Sequence, residues 1–399
     1  VTANGLLAEI ADVGRDTRRG GYSRHAFDRA ELELRDWFIE QAARRSLDVT
    51  TDRNGNIWAW WGRPGSGAVV TGSHLDSVPG GGAFDGPLGV TSALAAVDLL
   101  RAKGFTPAKP LALLVFAEEE GGRFGVPCLG SRLLTGAIDA DRARGLRDAA
   151  GITFAEAAAS AGQDPDRFGA DPEALAGIGC FVELHVEQGR GLIDLDSAVA
   201  TGSSIIAHGR YRFSFTGQGN HAGATRMPDR HDPMLPAAAV IAAARRVAAA
   251  TDDARATVGK LIPTPGGTNV IASTVDLWLD ARVAGDGRTA ALVEDIAGFA
   301  REAAAAEGCE VTVTEESYSD DVIFDETLRG RMDAVLGDVP ALPTGAGHDA
   351  GILAAHVPSG MLYVRNPTGI SHAPQEYSEP ADVDFGAESL ARVLEDLAK

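Results

Sequence analysis

Between residues 206 and 317 the alternation of strands and helices that governs the rest of the chain gives way to a different order. "GRYRFSFTGQ" reads as a strand and "DPMLPAAAVIAAARRVAAA" as a helix. "ARATVGKLIP" and "STVDLWLDARV" read as two strands, "TAALVEDIAGFAREAAAAEG" as a helix and "CEVTVTEE" as a closing strand. This β-α-β-β-α-β order is a split βαβ, ferredoxin-like layer able to bury its own core. It implies an inserted domain at 206–317 and a larger domain made from the flanking segments 1–205 and 318–399. In those segments "IWAWWG", "GAVVTGSHLDS", "KPLALLVFAEEE", "CFVELHVEQG" and "SGMLYVR" read as strands, and "GVTSALAAVDLLRAKG" as a helix. Short apolar runs bounded by Gly and Pro and separated by helices predict an α/β domain with a mixed, largely parallel sheet. A length of 399 residues fits two domains better than one core.

The chain is 45% hydrophobic and 23% charged, as expected of a globular protein, and carries a formal net charge of -20. Such a field repels phosphate backbones and anionic lipid surfaces, which excludes nucleic acid and membrane as expected partners. A small anionic substrate stays compatible with it, because bound cations reverse the potential locally. Cys128, Cys180 and Cys309 have no finger-type spacing and read as free thiols of a reducing compartment. With no bilayer-length apolar run and no basic-then-apolar N-terminal segment, a cytoplasmic location is the expectation.

The chemistry concentrates in a few short stretches. In "TGSHLDSVPGGGAFDGPLGV", His74 and Asp76 are two residues apart at a strand end and so share a face. That spacing suits a metal-ligating imidazole with a carboxylate near its other ring nitrogen. Asp85 follows a glycine-rich loop able to fold back toward His74. In "LALLVFAEEEGG", Glu118, Glu119 and Glu120 end an apolar strand, and the carboxyl ends of parallel strands are where α/β sheets place ligands. Adjacent glutamates point in different directions, so one can bind a cation while its neighbour reaches the water beside it. "FVELHVEQG" adds His185 and Gln188, and "GISHAPQEYS" adds His372 in a Pro-bearing loop. An HxD pair, an acidic triplet or a loop histidine is ordinarily structural when it stands alone; here they occur together.

Taken in order, "GSHLDSVPGGGAFDGPLGV", "FAEEEGGRFG", "ELHVEQG", "NHAGATRMPDRHDP" and "GISHAPQEYS" resemble the N-carbamoyl-L-amino acid hydrolases and allantoate amidohydrolases. These are a branch of the two-metal aminoacylase and carboxypeptidase superfamily, and the resemblance spans nearly the whole chain. It implies His74, Asp85, Glu120, His185 and His372 as metal ligands. Asp85 would bridge two divalent ions, with His74 and His185 on one and Glu120 and His372 on the other. A histidine at 185, where related peptidases carry an acid, favours the carbamoyl-hydrolysing branch. The donors are all nitrogen and oxygen, compatible with Zn²⁺ or Mn²⁺, and also with Co²⁺ or Ni²⁺.

The same resemblance implies the reaction and its helpers. Two cations about 3.5–4 Å apart acidify water and polarise a poorly electrophilic carbonyl. Glu119 would be the general base that carries a proton to the departing nitrogen. Asp76 would support His74. His221, in "TGQGNHAG", would stabilise the oxyanion from the neighbouring subunit, which implies a homodimer formed through the inserted domain. Arg282 in "LWLDARV" would clamp the substrate carboxylate, with Asn269 and Gln188 as companions. His348 and Asp349 in "GAGHDAG" are expected to shape a loop near the substrate. Metal and base on one domain and the clamp on the other imply closure about hinges near 202–207 and 316–320. Arg226, where some relatives have proline, and His208 near a hinge have no account from sequence.

The expected partner is therefore a small ureido or amide carboxylate, an N-carbamoyl-L-amino acid first, with allantoate or an N-acyl amino acid or dipeptide as alternatives. A P-loop lacks its Lys-Ser/Thr ending, and no G-x-S-x-G elbow for a serine hydrolase appears. A non-catalytic metal-binding protein would be expected to lack Glu119 or a ligand, and none is missing.

Overall fold

The computed structural model describes residues 1–285, 287–337 and 339–399. The strands are, in chain order, β1 (Asp48–Thr51), β2 (Ile57–Trp61), β3 (Ala68–His74), β4 (Leu111–Phe116), β5 (Ile178–Val186) and β6 (Val199–Ile205). There follow β7 (His208–Thr216), β8 (Asn220–His221), β9 (Arg255–Thr264), β10 (Val270–Ile271), β11 (Thr274–Arg282) and β12 (Glu310–Ser319). The chain closes with β13 (Val322–Ile323), β14 (Ala341–Thr344) and β15 (Ser359–Val364). Contacts divide these into two compact units, Val1–Ser204 with Ile323–Lys399, and Ile205–Val322.

The larger unit holds a sheet in the order β1-β2-β4-β3-β5-β15-β6-β13, with β14 beside β6. Its centre, β4-β3-β5-β15, is parallel, and the flanking pairs β2-β4 and β15-β6 are antiparallel. β3 and β4 are buried along their whole length, which is why they read as continuous apolar runs rather than alternating ones. The helix Pro87–Ala102 covers one face and packs against the C-terminal helix Pro380–Leu397, joining Leu94, Val97, Leu113, Leu184, Leu362 and Leu390 in one core. It starts immediately after Asp85 because Gly86 turns with φ +84° against the His74 ring, where a Cβ would collide.

The smaller unit is a four-stranded sheet, β12-β7-β11-β9, antiparallel throughout. The helices Met234–Ala249 and Arg288–Ala306 pack on one face over Phe213, Phe215, Val275, Leu277 and Ile296. β11 alternates accordingly, burying Val275, Leu277, Leu279 and Ala281 while Asp276, Trp278, Asp280 and Arg282 face away. The unit extends beyond residue 317 because β12 continues to Ser319 across a bulge between Glu315 and Ser317. The polar run "EESYS" hides that continuation from a hydrophobic pattern.

Among the described residues no helix is long and apolar enough to cross a membrane.

Candidate metal centre

Four adjacent parallel strands bring their carboxyl ends to one edge of the larger unit. β3 delivers His74, the turn after β4 delivers Glu119 and Glu120, β5 delivers His185, and the loop after β15 delivers His372. Asp85 enters from the loop between β3 and its helix. Its two oxygens divide the histidines between them. Oδ1 lies 3.5 Å from His74 Nε2 and 3.2 Å from His185 Nε2; Oδ2 lies 3.3 Å from His372 Nε2. Glu120 Oε2 lies 3.3 Å from that same His372 nitrogen. Ligand-type atoms of His74, Asp85 and His185, and separately of Asp85, Glu120 and His372, cluster within 4.8 Å of one another.

Two backbone carbonyls set the tautomers of the buried rings. His74 Nδ1 lies 3.0 Å from the carbonyl of Asp76, and His185 Nδ1 lies 2.9 Å from that of Val186. A carbonyl oxygen only accepts, so each Nδ1 carries a proton and donates it, leaving Nε2 to face Asp85. His74 Nε2 is buried with no hydrogen-bond partner. Buried nitrogens of this kind require something to bind, and a divalent cation on an all-nitrogen and oxygen donor set fits. Cys128 does not join that set: its thiol donates toward Glu119 Oε1 at 3.4 Å, and burial and the Glu119 carboxylate push its pKa well up.

The charges are strongly perturbed. Burial pulls the His74 ring down, but the carboxylates of Glu119, Asp85 and Asp76 outweigh it and hold the ring well above its ordinary value. The hydrogen bond to Asp85 lifts His372 to about 9, against burial and with help from Glu120. Against its own burial, Asp85 is held well below the carboxylate range by His185, His372 and His74. Burial raises Glu119 strongly, reinforced by Asp349, Glu120 and Glu183 against His74, and burial with Asp85 brings Glu120 to about 7. Protonated histidines thus stand where bound cations would place positive charge.

Compared with known proteins, residues 70–396 match the model of peptidase family M20/M25/M40. The chain belongs to that family. It is 35% identical to the N-carbamoyl-L-amino acid amidohydrolase of Geobacillus stearothermophilus over 98% of this chain and 97% of the relative. It is 30% identical to the allantoate amidohydrolase of Escherichia coli over 98% and 96% of the two chains. A crystal structure of an amidase of the hydantoinase/carbamoylase family from Burkholderia vietnamiensis superposes with a TM-score of 0.88, covering 100% of this chain and 98% of the other at 30% identity.

Within this M20 chain some expected site residues sit differently from their sequence reading. β3 ends at His74, so alternation does not carry Asp76 onto the same face. Its carboxylate accepts the backbone N–H groups of Glu119 and Glu120, both at 3.1 Å, and lies 3.6 Å from His74 Nδ1. Asp76 therefore pins the glutamate turn to the histidine strand, and its backbone carbonyl rather than its carboxylate orients the ring. Gln188 Nε2 donates to Asp85 Oδ2 at 3.0 Å and lies 3.2 Å from Ser371 Oγ, while its Oε1 is buried without a partner. Asp349 accepts from Ser131 Oγ at 2.5 Å, and His348 packs its buried ring 4.5 Å from that of His185.

His221, Asn269 and Arg282 lie in the smaller unit. His221 is exposed on β8, paired with β10; Asn269 immediately precedes β10, and its carbonyl accepts from Ala222 N–H at 3.0 Å. Arg282 closes the other end of β11, opposite His208 on β7, with its Nε and Nη2 on Asp280 at 2.6 and 2.9 Å. Sequence reasoning passed over Glu183, Ser371 and Glu376. Glu183 is buried at mid-strand in β5, accepting from Ser73 Oγ at 2.9 Å and from Ala350 N–H at 3.0 Å. An acid at the centre of an apolar strand was its available signal.

Proposed function

We propose that this M20 protein is a two-cation amidohydrolase that cleaves the carbamoyl C–N bond of N-carbamoyl-L-amino acids or similar ureido acids. The products are the amino acid, carbon dioxide and ammonia. The observation that carries this reading is the division of Asp85, one oxygen toward His74 and His185 and the other toward His372 beside Glu120. His74, His185 and Asp85 would hold one ion, and Asp85, Glu120 and His372 the other, with Zn²⁺ or Mn²⁺ suited and Co²⁺ or Ni²⁺ compatible. When bound, such ions acidify water and polarise the carbonyl of the scissile group.

The chain's own groups supply the rest. Glu119 Oε2 lies 3.5 Å from His74 Nε2, and its burial favours a carboxylate that readily takes a proton. It accepts the proton of the attacking water and returns it to the leaving nitrogen. His221 is suited to the opposite task. Its Nδ1 accepts the N–H groups of Gly223 and Ala224 at 3.0 and 3.2 Å, so its proton is on Nε2, free to donate to an oxyanion. Arg282 provides the forked donor that a substrate carboxylate requires, in place of Asp280.

His221 and Asn269 lie beyond the Thr274 end of β11, and Arg282 is at its other end. Eight residue steps of extended chain separate them by about 26 Å, too far for one small substrate to touch both. This supports a homodimer in which each centre takes Arg282 from one copy and His221 with Asn269 from the other. Hybrid dimers of Arg282→Ala and His221→Ala chains test it: a fraction of activity returns when the two groups come from different copies, and none when they come from the same one. Three free cysteines support a cytoplasmic location.

The reaction itself is tested by ammonia release from N-carbamoyl-L-amino acids, their D-forms, allantoate and N-acetyl amino acids by metal-reconstituted protein. Release from none of the carbamoyl or ureido substrates overturns the reading. Allantoate is the second reading, favoured by the full-length similarity to an allantoate amidohydrolase.

A further inference from the structure

We propose that Glu376 is a positioning residue that holds the bridging carboxylate of Asp85 in register with His372; the proposal rests on the two-cation reading above. A shared aspartate must present its two oxygens to two ions at once, so its main chain has to be fixed as firmly as its side chain. Asp85 ends the loop "PGGGAFD", whose three consecutive glycines give it little stiffness of its own. Its start is tied to Tyr22 and Ser23 through Gly81 and Gly80, but those bonds stop short of Phe84 and Asp85. The group that holds those two amides arrives from nearly three hundred residues away. Glu376 Oε1 accepts the backbone N–H groups of both Phe84 and Asp85 at 3.0 Å.

The other oxygen of Glu376 completes a closed circuit. Ser371 Oγ lies 3.0 Å from Glu376 Oε2 and 3.1 Å from Asp85 Oδ2, the oxygen that faces His372. One carboxylate therefore grips the main chain of Asp85 directly and its side chain through a hydroxyl, while standing four residues after His372 in the same loop. Glu376 is 4% exposed. Gly82 is where the loop admits it, since a Cβ there would collide with the Glu376 carboxylate. A buried acid with both oxygens engaged on a ligand's main chain and side chain has more contacts there than solvation requires.

The test reads cation binding rather than turnover. Metal-free wild-type protein, Glu376→Ala, Glu376→Gln and Ser371→Ala are each titrated with Co²⁺, following its visible absorption and the cobalt retained after dialysis. Wild type is expected to take up two ions. Glu376→Ala should bind at least one of them ~10–100-fold more weakly, with the thermal midpoint of the metal-free protein little changed. Glu376→Gln keeps an oxygen for the two amides and should recover most of that loss. Ser371→Ala, which removes only the hydroxyl, should weaken binding by roughly three- to tenfold and serves if Glu376→Ala does not fold. Two ions bound by wild type and bound equally well by Glu376→Ala, or by Ser371→Ala where that variant replaces it, overturn the role of Glu376 alone. Fewer than two ions on wild type overturn the two-cation reading and this role with it.

Discussion

His74 and His221 are the same residue type held in opposite protonation patterns. His74, like His185, donates from Nδ1 to a backbone carbonyl, so the nitrogen turned toward Asp85, Nε2, is the one that offers a lone pair once the ring is neutral. His221 accepts backbone N–H groups at Nδ1, so its Nε2 is the donor. The first pair is completely buried at the end of a parallel sheet, whereas His221 is exposed on a two-residue strand of the smaller unit. Local backbone geometry, rather than residue identity, decides whether an imidazole offers a lone pair or a proton. On the proposed reading, the larger unit would gather cations and the smaller one would present donors.

The contrast is broken most sharply at Glu119. Glu119→Gln should lower kcat by ~10²–10⁴-fold while the protein still binds its metal, as measured by steady-state ammonia release and metal content. A nearly normal rate removes Glu119 as the base. His221→Ala comes next, with an expected loss of ~10²–10³ in kcat and unchanged metal content. Loss of metal together with rate would place His221 among the ligands and erase the distinction. Arg282→Lys keeps the charge but loses the fork, and KM for carboxylate substrates should rise by roughly tenfold. An unchanged KM takes Arg282 out of the substrate site.

A pH dependence sharpens the cation side alone. His372 sits at about 9 in the metal-free protein and must be neutral to bind a cation, so below that value protons compete with metal. Apparent affinity should fall by at least about tenfold per pH unit from pH 9 to pH 7, because His74 and His185, also raised, release protons on binding as well, with Glu120, at about 7, adding to the slope below that. Co²⁺ titrations at several pH values measure it, and an affinity flat between pH 7 and 9 contradicts it.

His74, Glu119, Glu120 and His185 were legible as candidates because they sit at strand ends, which are marked by where apolar runs stop, whereas the full ligand set, with Asp85 and His372 in loops, was named by resemblance. "LALLVF" before the glutamates and "CFVELHV" around His185 are such runs. Asp76 does bring its carboxylate within 3.6 Å of His74 Nδ1, but by the turn beyond β3 rather than by alternation, since β3 stops at His74. Glu376 was invisible because its partners are main-chain amides at positions 84 and 85, and hydrogen bonds of that sequence separation leave no periodic trace. The residues of the smaller unit were named by resemblance, and no spacing rule could announce that β11 holds Arg282 far from His221.

β15 lies between β5 and β6, although both of those strands precede it by more than one hundred and fifty residues. During translation the inserted unit is therefore complete while the larger sheet still has a gap at its centre. His372, Glu376 and the helix Pro380–Leu397 follow that last strand off the ribosome. A prematurely terminated polypeptide would leave two half-sheets with exposed apolar flanks and an unfinished ion cage, marking it for chaperones or proteases rather than leaving a partly working enzyme.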